Sequence, residues 1–497
     1  MQSMSLVHRF ATHLTAVFTA ILVASCGQPD STGITVAVVG EAKAPFEKGI
    51  RLSLAGQLTR ASTKEGLVAF DEQGRIIPAL ADRWIVTDDG NSYIFRLRDG
   101  TWHDGRDLTG RSAQRALNSA IRALRGTSLG LDLAGIGEIR EMAGRVVEIR
   151  LSQPMPHFLQ LLAQPELGLS NRGKGAGPMT LVREGDVAVL SPIRPEDLGL
   201  PTIHEWESRA RQIRLFALSG EAAVKQFNGG EADLVLGGSI DNFPHTSSVG
   251  ILRGTIQLDP VAGLFGFRVA HTDGFLADAA NREAIAMAID REALITPFGL
   301  DGWLPSTRIV QPGLAGDLGT IGERWSEMTI EERRGLAAER VSRWRSAQES
   351  DKSVQLRIAL PDGPGSDALF NRFSDNLGRI GIEIERVGVG KPADLRLIDE
   401  VARYPHASWF LNRLNCRTSR APCDANADAR AKEAMKAEDP AEFAALLAEA
   451  EAELTVSNIF IPFGPPIRWS LVRGDVQGFH TNPWGWHPLM PMALIPN

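Results

Sequence analysis

Apolar and polar residues alternate along much of this chain, and the alternation is interrupted by segments whose apolar residues return every three or four positions. Ile34 to Val39 reads as a first strand, and Leu67 to Arg98 alternates between the turn signals Asp71-Glu72-Gln73-Gly74 and Asp88-Asp89-Gly90-Asn91. Within it, Tyr93 to Arg98 has the aromatic and β-branched content of a strand. From Gly110 to Leu124 the period lengthens: Ala113, Ala116, Leu117, Ala120, Ile121 and Leu124 share one helical face. Val146 to Leu151 is a strand again, stopped by Pro154-Met155-Pro156 before a helix through Phe158, Leu161 and Leu162.

The second half predicts a helix over Asn281 to Leu294, with Ile285, Ala288, Ile289 and Leu294 inward. Thr329 with Glu332 forms a capping box for a helix running on through Trp344. Val354 to Leu360 is a strand, Asp367 to Ile380 a helix, and Gly381 to Val387 a strand. Asp439-Pro440 with Glu442 supplies the cap, first-turn proline and acid of a helix that continues to Leu454. Helices alternating with strands in both halves predict α/β lobes rather than a bundle or a sandwich.

The leader follows another pattern. His8 and Arg9 precede an apolar run through Leu14 to Ile21, with the small pair Ala24-Ser25 before Cys26. This is the layout of an export signal, too short for a membrane span. The end of it looks like a bacterial lipobox, which predicts residues 1–25 as a lipoprotein signal peptide, Cys26 as the lipidated first residue and 26–33 as a tether. The other reading is a plain signal with an incidental cysteine. About 470 residues then remain, more than one ordinary core holds. A net charge of −7, with no basic block interleaved with aromatics, argues against a nucleic-acid partner. In an oxidising compartment the remaining pair, Cys416 and Cys423, is expected to close a disulfide. A zinc half-site is the rival, although Cys-x6-Cys lacks a zinc-knuckle spacing and no second pair exists.

Several stretches then match one family in order. Glu65-Gly66-Leu67-Val68, Ile77-Pro78-Ala79-Leu80-Ala81, Asp88-Asp89-Gly90-Asn91-Ser92-Tyr93 and Trp102-His103-Asp104-Gly105 resemble the opening of family 5 extracellular solute-binding proteins, the dipeptide/oligopeptide receptors of ABC transporters. Gly175-Ala176-Gly177-Pro178, Gly229-Gly230-Glu231-Ala232-Asp233 and Asn281-Arg282-Glu283-Ala284-Ile285 continue the resemblance. It implies a periplasmic-binding-protein-like clamp of two α/β lobes joined by two hinge crossovers. Lobe one would span 34–265 and regain the chain at 471–497, with lobe two over 266–470. It also implies a monomeric, non-enzymatic receptor that hands a small-molecule or peptide ligand to an ABC permease, needs no cofactor or metal, and touches the membrane through its lipid alone. Its place would be the periplasm, anchored to the envelope. Trp102, Trp409, Trp484 and Trp486 are candidate cleft walls under the resemblance, with core packing as the alternative for each.

One departure changes the expected ligand. Peptide receptors of the family carry D-Y-x-[DE]-P-x-x-F-L, whose first acid pairs with the peptide ammonium; here the segment is Arg403-Tyr404-Pro405-His406-Ala407-Ser408-Trp409-Phe410-Leu411. Leaving a desolvated ammonium without its counterion costs about 3–5 kcal/mol, on the order of a thousandfold in affinity. An arginine fork there suits a carboxylate or phosphate instead. A shifted register would bring Asp399 or Glu400 into the acid's place. His406 leaves open a metal-chelate receptor on the same scaffold, and the altered loop leaves open an envelope interaction lipoprotein without transport. Gly168 to Gly175 nearly spells a phosphate loop but ends in glycine where Ser or Thr must hold magnesium, and His204-Glu205 lacks the second histidine of a zinc hydrolase.

Overall fold

A computed structural model describes residues 33–250, 255–348, 353–418 and 420–495. The signal peptide, Cys26 and all but the last residue of the tether lie outside the described residues. The body that begins at Ile34 is built on two large mixed sheets and a smaller antiparallel one.

The seven-stranded sheet has the order Ile256–Leu258, Trp469–Val472, Leu234–Gly238, Gly33–Val39, Gln212–Leu218, Val187–Pro192, Met179–Glu184. Its central strands are buried on both faces, so Val36, Val38, Leu234 and Leu236 fill one core while Ala37, Val235 and Leu471 fill another. The five-stranded sheet runs Ile382–Gly388, Val354–Leu360, Leu395–Val401, Gly263–Val269, Phe460–Gly464. Phe265, Phe267, Phe373 and Phe463 pack edge-to-face or tilted in its core, with ring centroids 4.5–5.4 Å apart. The chain changes sheets twice, between Leu258 and Gly263 and between Gly464 and Trp469. The crossing segments are tied together where the Asp259 amide donates to the Arg468 carbonyl at 3.0 Å. Arg468 in turn holds the Asp399 carboxylate at 2.7 Å.

A four-stranded antiparallel sheet (Ala81–Val86, Ser92–Leu97, Val146–Leu151, Ile136–Glu141) stacks on the helix Gly110–Ala123 through Phe95, Val147, Ala113 and Leu117. That core does not stop at this sheet: it continues into Tyr404, Trp409, Phe410, Leu447 and Leu454, from the other half of the sequence.

Local signals explain several helix ends. Thr109 and Ser112 cap Gly110–Ala123 reciprocally, and Thr329 and Glu332 do the same for Ile330–Ser346. Asp439 caps Pro440–Ser457, which ends at left-handed Asn458. The single helix expected over Asn281 to Leu294 is instead two, Ala279–Ala288 and Arg291–Ile295. Asp290 competes for the backbone by accepting from the Ala293 amide. The break leaves carbonyls of Ala286 and Ile289 to accept from the buried Arg291 guanidinium.

Under the long C-terminal helix, Arg308 is enclosed with Asp317 and Glu451, its Nη2 lying 2.8 and 2.9 Å from their oxygens. The three side chains are only 3–4% exposed. Removing the cation alone strands two buried carboxylates. Arg308→Ala is therefore expected to lower stability by about 3–5 kcal/mol in urea denaturation, whereas replacing all three by Met, Leu and Leu loses much less. Equal losses would contradict this account.

Candidate functional site

The segment Arg403 to Asn412 carries most of the chemistry expected from the sequence, and its partners come from 237 to 280 residues away. It leaves the strand Leu395–Val401, bends through 403–405, where the His406 amide donates to the Tyr404 carbonyl at 3.0 Å, and enters the helix Ala407–Leu414. His406 caps that helix, its Nδ1 accepting from the Ser408 amide at 3.1 Å. The Ala407 amide donates to the Ala315 carbonyl at 2.9 Å, and Gly316 leaves room for the His406 ring, where a Cβ would come within 2.7 Å of Cε1.

Arg403 already has an anion. Its Nη1 and Nη2 donate to the two oxygens of Glu166 at 3.0 and 2.8 Å, a bidentate fork, and Nη1 also reaches Gln164 Oε1 at 3.1 Å. Glu166 is 3% exposed, while 29% of the Arg403 side chain remains open to solvent. Beside this fork Tyr404 is buried, its hydroxyl donating to Asp132 Oδ1 at 2.7 Å; the Asn412 amide donates to the same oxygen at 2.8 Å. Oδ2 of Asp132 is buried without a partner. The His157 ring lies flat on Tyr404, with centroids 4.1 Å apart and planes 2° from parallel. The His406 ring stands 4.9 Å from that of His157.

These groups depart from their usual protonation. Burial pushes the Asp132 carboxyl up to about 6, against the pull of its Asn412 and Tyr404 donors. Burial, helped by the neighbouring His406, lowers His157 to about 3, and burial alone lowers His406 to about 4. Both imidazoles are therefore neutral at physiological pH, and the junction joins neutral rings to one buried ion pair. The acids expected from a shifted register are engaged elsewhere, Asp399 with Arg468 and Glu400 bidentately with Arg413.

The tryptophans divide. Trp409 is buried in the core behind this segment, against Phe410. Trp102 is fully buried, its indole donating to Ser112 at 3.1 Å, as core packing requires. Trp484 lies over the turn at Gly74, donating to its carbonyl at 2.8 Å, and a Cβ on Gly74 would come within 2.5 Å of the indole. Trp486 sits in the core of the seven-stranded sheet. The structure thus brings Arg403, Tyr404, His406 and Trp409 together and leaves Trp484 and Trp486 in a separate cluster. Cys416 and Cys423 are joined in a disulfide. Asp132, His157 and Glu166 carried no local signal: the meaning of each appears only once its distant partner is known. Gly175 of the near-miss phosphate loop packs against the Thr63 carbonyl, where a Cβ would stand only 2.0 Å away.

Two α/β sheets joined by paired crossovers, with one sheet's loop docked across the junction, define a two-lobe fold. Residues 75–182 match the model for the middle part of bacterial extracellular solute-binding proteins, family 5, which bears out the resemblance read from the sequence. The chain is 34% identical over 125 residues to the probable deoxycholate-binding periplasmic protein YgiS of Escherichia coli strain K12, covering 21% of this chain and 23% of that one. It is 22% identical over 463 residues to the periplasmic oligopeptide-binding protein OppA of the same strain, covering 84% of each. Its fold is similar to that of Haemophilus influenzae OppA in complex with the peptide RPPGFSPFR: the TM-score is 0.79 at 14% identity, over 94% of this chain and all of that one.

The raised Asp132 gives a pH test. The folded acid holds its proton up to about pH 6, whereas the unfolded acid releases it near 3.8, so the folded state binds more protons between those values. Its contribution is therefore fully present below that window and is lost as pH rises through it. Asp132→Asn removes the titration while keeping an oxygen for Tyr404. The variant is expected to gain stability relative to wild type from pH 4 to 6.5, by roughly 3 kcal/mol at most, in chemical denaturation. A flat difference would contradict the assignment.

Proposed function

We propose that the protein captures a small solute between two lobes and presents it to an ABC permease, doing no chemistry itself. The observation that carries this reading is the double passage of the chain between the two large sheets, which supplies a hinge. On this reading lobe one comprises 34–265 with 471–497, and lobe two comprises 266–470. The sheet exchanges favour boundaries a few residues away from these, with hinge segments at 259–262 and 465–468, since Gly263–Val269 pairs in the five-stranded sheet and Trp469–Val472 in the seven-stranded one. Export through residues 1–25 and a lipid on Cys26 would hold the protein, as a monomer, at the periplasmic face of an envelope membrane. Among the described residues no helix is long and apolar enough to cross a membrane.

The ligand class follows from the Arg403 fork. A peptide with a free amino terminus would bring its ammonium to a guanidinium, next to a carboxylate that is already neutralised. We infer a ligand that presents no ammonium at this end, peptide-like in its body and uncharged or anionic where it meets Arg403. Tyr404, His406 and Trp409 would form the wall behind it, with Trp484 and Trp486 as proposed contacts on the lobe-one side. The relative named for deoxycholate, a steroid carboxylate without an amino group, is consistent with such a ligand. The chelate reading rests on His406, whose Nδ1 is occupied as a helix cap.

The test pairs the same peptides with free and acetylated amino ends and reads retention by mass spectrometry. Wild type is expected to retain the acetylated forms at least about tenfold better. Arg403→Ala frees Glu166 and is expected to reverse the preference. An unchanged preference for either form in the variant would remove Arg403 from ligand selection.

A further inference from the structure

The far end of the five-stranded sheet, away from the crossovers, carries a second feature. Arg268, Arg357, Arg396 and Arg420, with His271, surround a cavity of about 350 Å³ in whose lining no carboxylate takes part.

The sheet register forces these charges together. Arg268 stands directly opposite Arg396 in the antiparallel pair, and Arg396 neighbours Ala359 on its other side. Arg357 lies two residues before Ala359, on the same face of the sheet. Like charges directly opposite one another destabilise a sheet unless something neutralises them. Arg268 is 8% exposed, its Nε has no partner, and its other nitrogens reach only the Arg413 and Pro422 carbonyls at 3.4 Å. Burial, then the nearby Arg413, lowers its pKa to about 10.

The acids in reach are committed. Asp394 accepts from His271 Nε2 at 2.6 Å and from the Arg357 amide at 2.5 Å and lies 3.5 Å from Arg357 Nε, Asp273 faces the other nitrogen of His271, and Glu400 is held by Arg413. Arg268, Arg396 and Arg420 form no ion pair among the described residues. Arg420, which lines the cavity, lies between Cys416 and Cys423, which are joined in a disulfide.

We propose that this cavity is an oxyanion site that takes a phosphate-bearing group. Several converging guanidinium forks match the oxygens of a phosphate. The volume exceeds that of a bare anion and leaves space for a small organic residue against Ile398. The site is separate from the Arg403 junction and stands whether or not the solute reading holds.

The experiment titrates the full chain calorimetrically with inorganic phosphate and with glycerol 3-phosphate, the soluble equivalent of a phospholipid head group, at ionic strength matched with chloride. Saturable one-site binding is expected, weakened at least tenfold in Arg396→Ala and in Arg420→Ala, side chains outside the apolar core, and unchanged in Arg430→Ala, a surface side chain outside the cavity lining that pairs with Glu433 and Glu449. Tighter glycerol 3-phosphate binding assigns the site to a head group, and equal or tighter inorganic phosphate binding assigns it to a free anion. No saturable binding, or full-strength binding by the Arg396→Ala, Arg420→Ala double variant, overturns the proposal.

Discussion

A single buried ion pair sets the terms for the rest of this molecule. Arg403 and Glu166 lie 237 residues apart, yet they meet in a two-bonded fork with Glu166 almost fully removed from water. A buried charge is tolerable only when paired and hydrogen-bonded, so each half of the chain carries a residue that is costly without the other. Tyr404 and Asp132 repeat the arrangement beside it with a neutral donor. Docking of the loop at 403–412 is therefore specified by polar partners, while the shared apolar core supplies the bulk of the adhesion.

On the proposed function, the same pair would reshape what the protein recognises. A receptor with an acid at this position offers a charge that a ligand ammonium completes. Here the charge is cationic and completed from within, so on the proposed function selectivity would arise from what the fork rejects as much as from what it attracts. The neutral imidazoles of His157 and His406 extend this logic, since neither adds positive charge near neutral pH.

Much of the fold was readable in the sequence where the determinants are local. The Thr329–Glu332 capping box, the proline start after Asp439 and the strand at Val354–Leu360 all stand as the pattern predicts. Local signals failed where a distant partner decides. The break at Ile289 and Asp290 depends on the Arg291 guanidinium, which also binds the Pro462 carbonyl on a strand 171 residues on. Arg403 was legible as an exchanged charge, but Glu166 was not, because nothing in Gln164-Pro165-Glu166-Leu167 distinguishes a buried acid from a surface one. The basic cavity was hidden for a like reason: Arg268 and Arg396 become neighbours only through strand register.

On the proposed function, two bodies hinged at paired crossovers are held together at the Arg403–Tyr404 junction. Spin labels at Lys225→Cys and Glu339→Cys, exposed positions on helices packed against the seven-stranded and five-stranded sheets, report the distance between the bodies directly. A longer and broader distance distribution is expected when Arg403→Ala and Tyr404→Phe are introduced together. Superimposable distributions before and after these substitutions would contradict it.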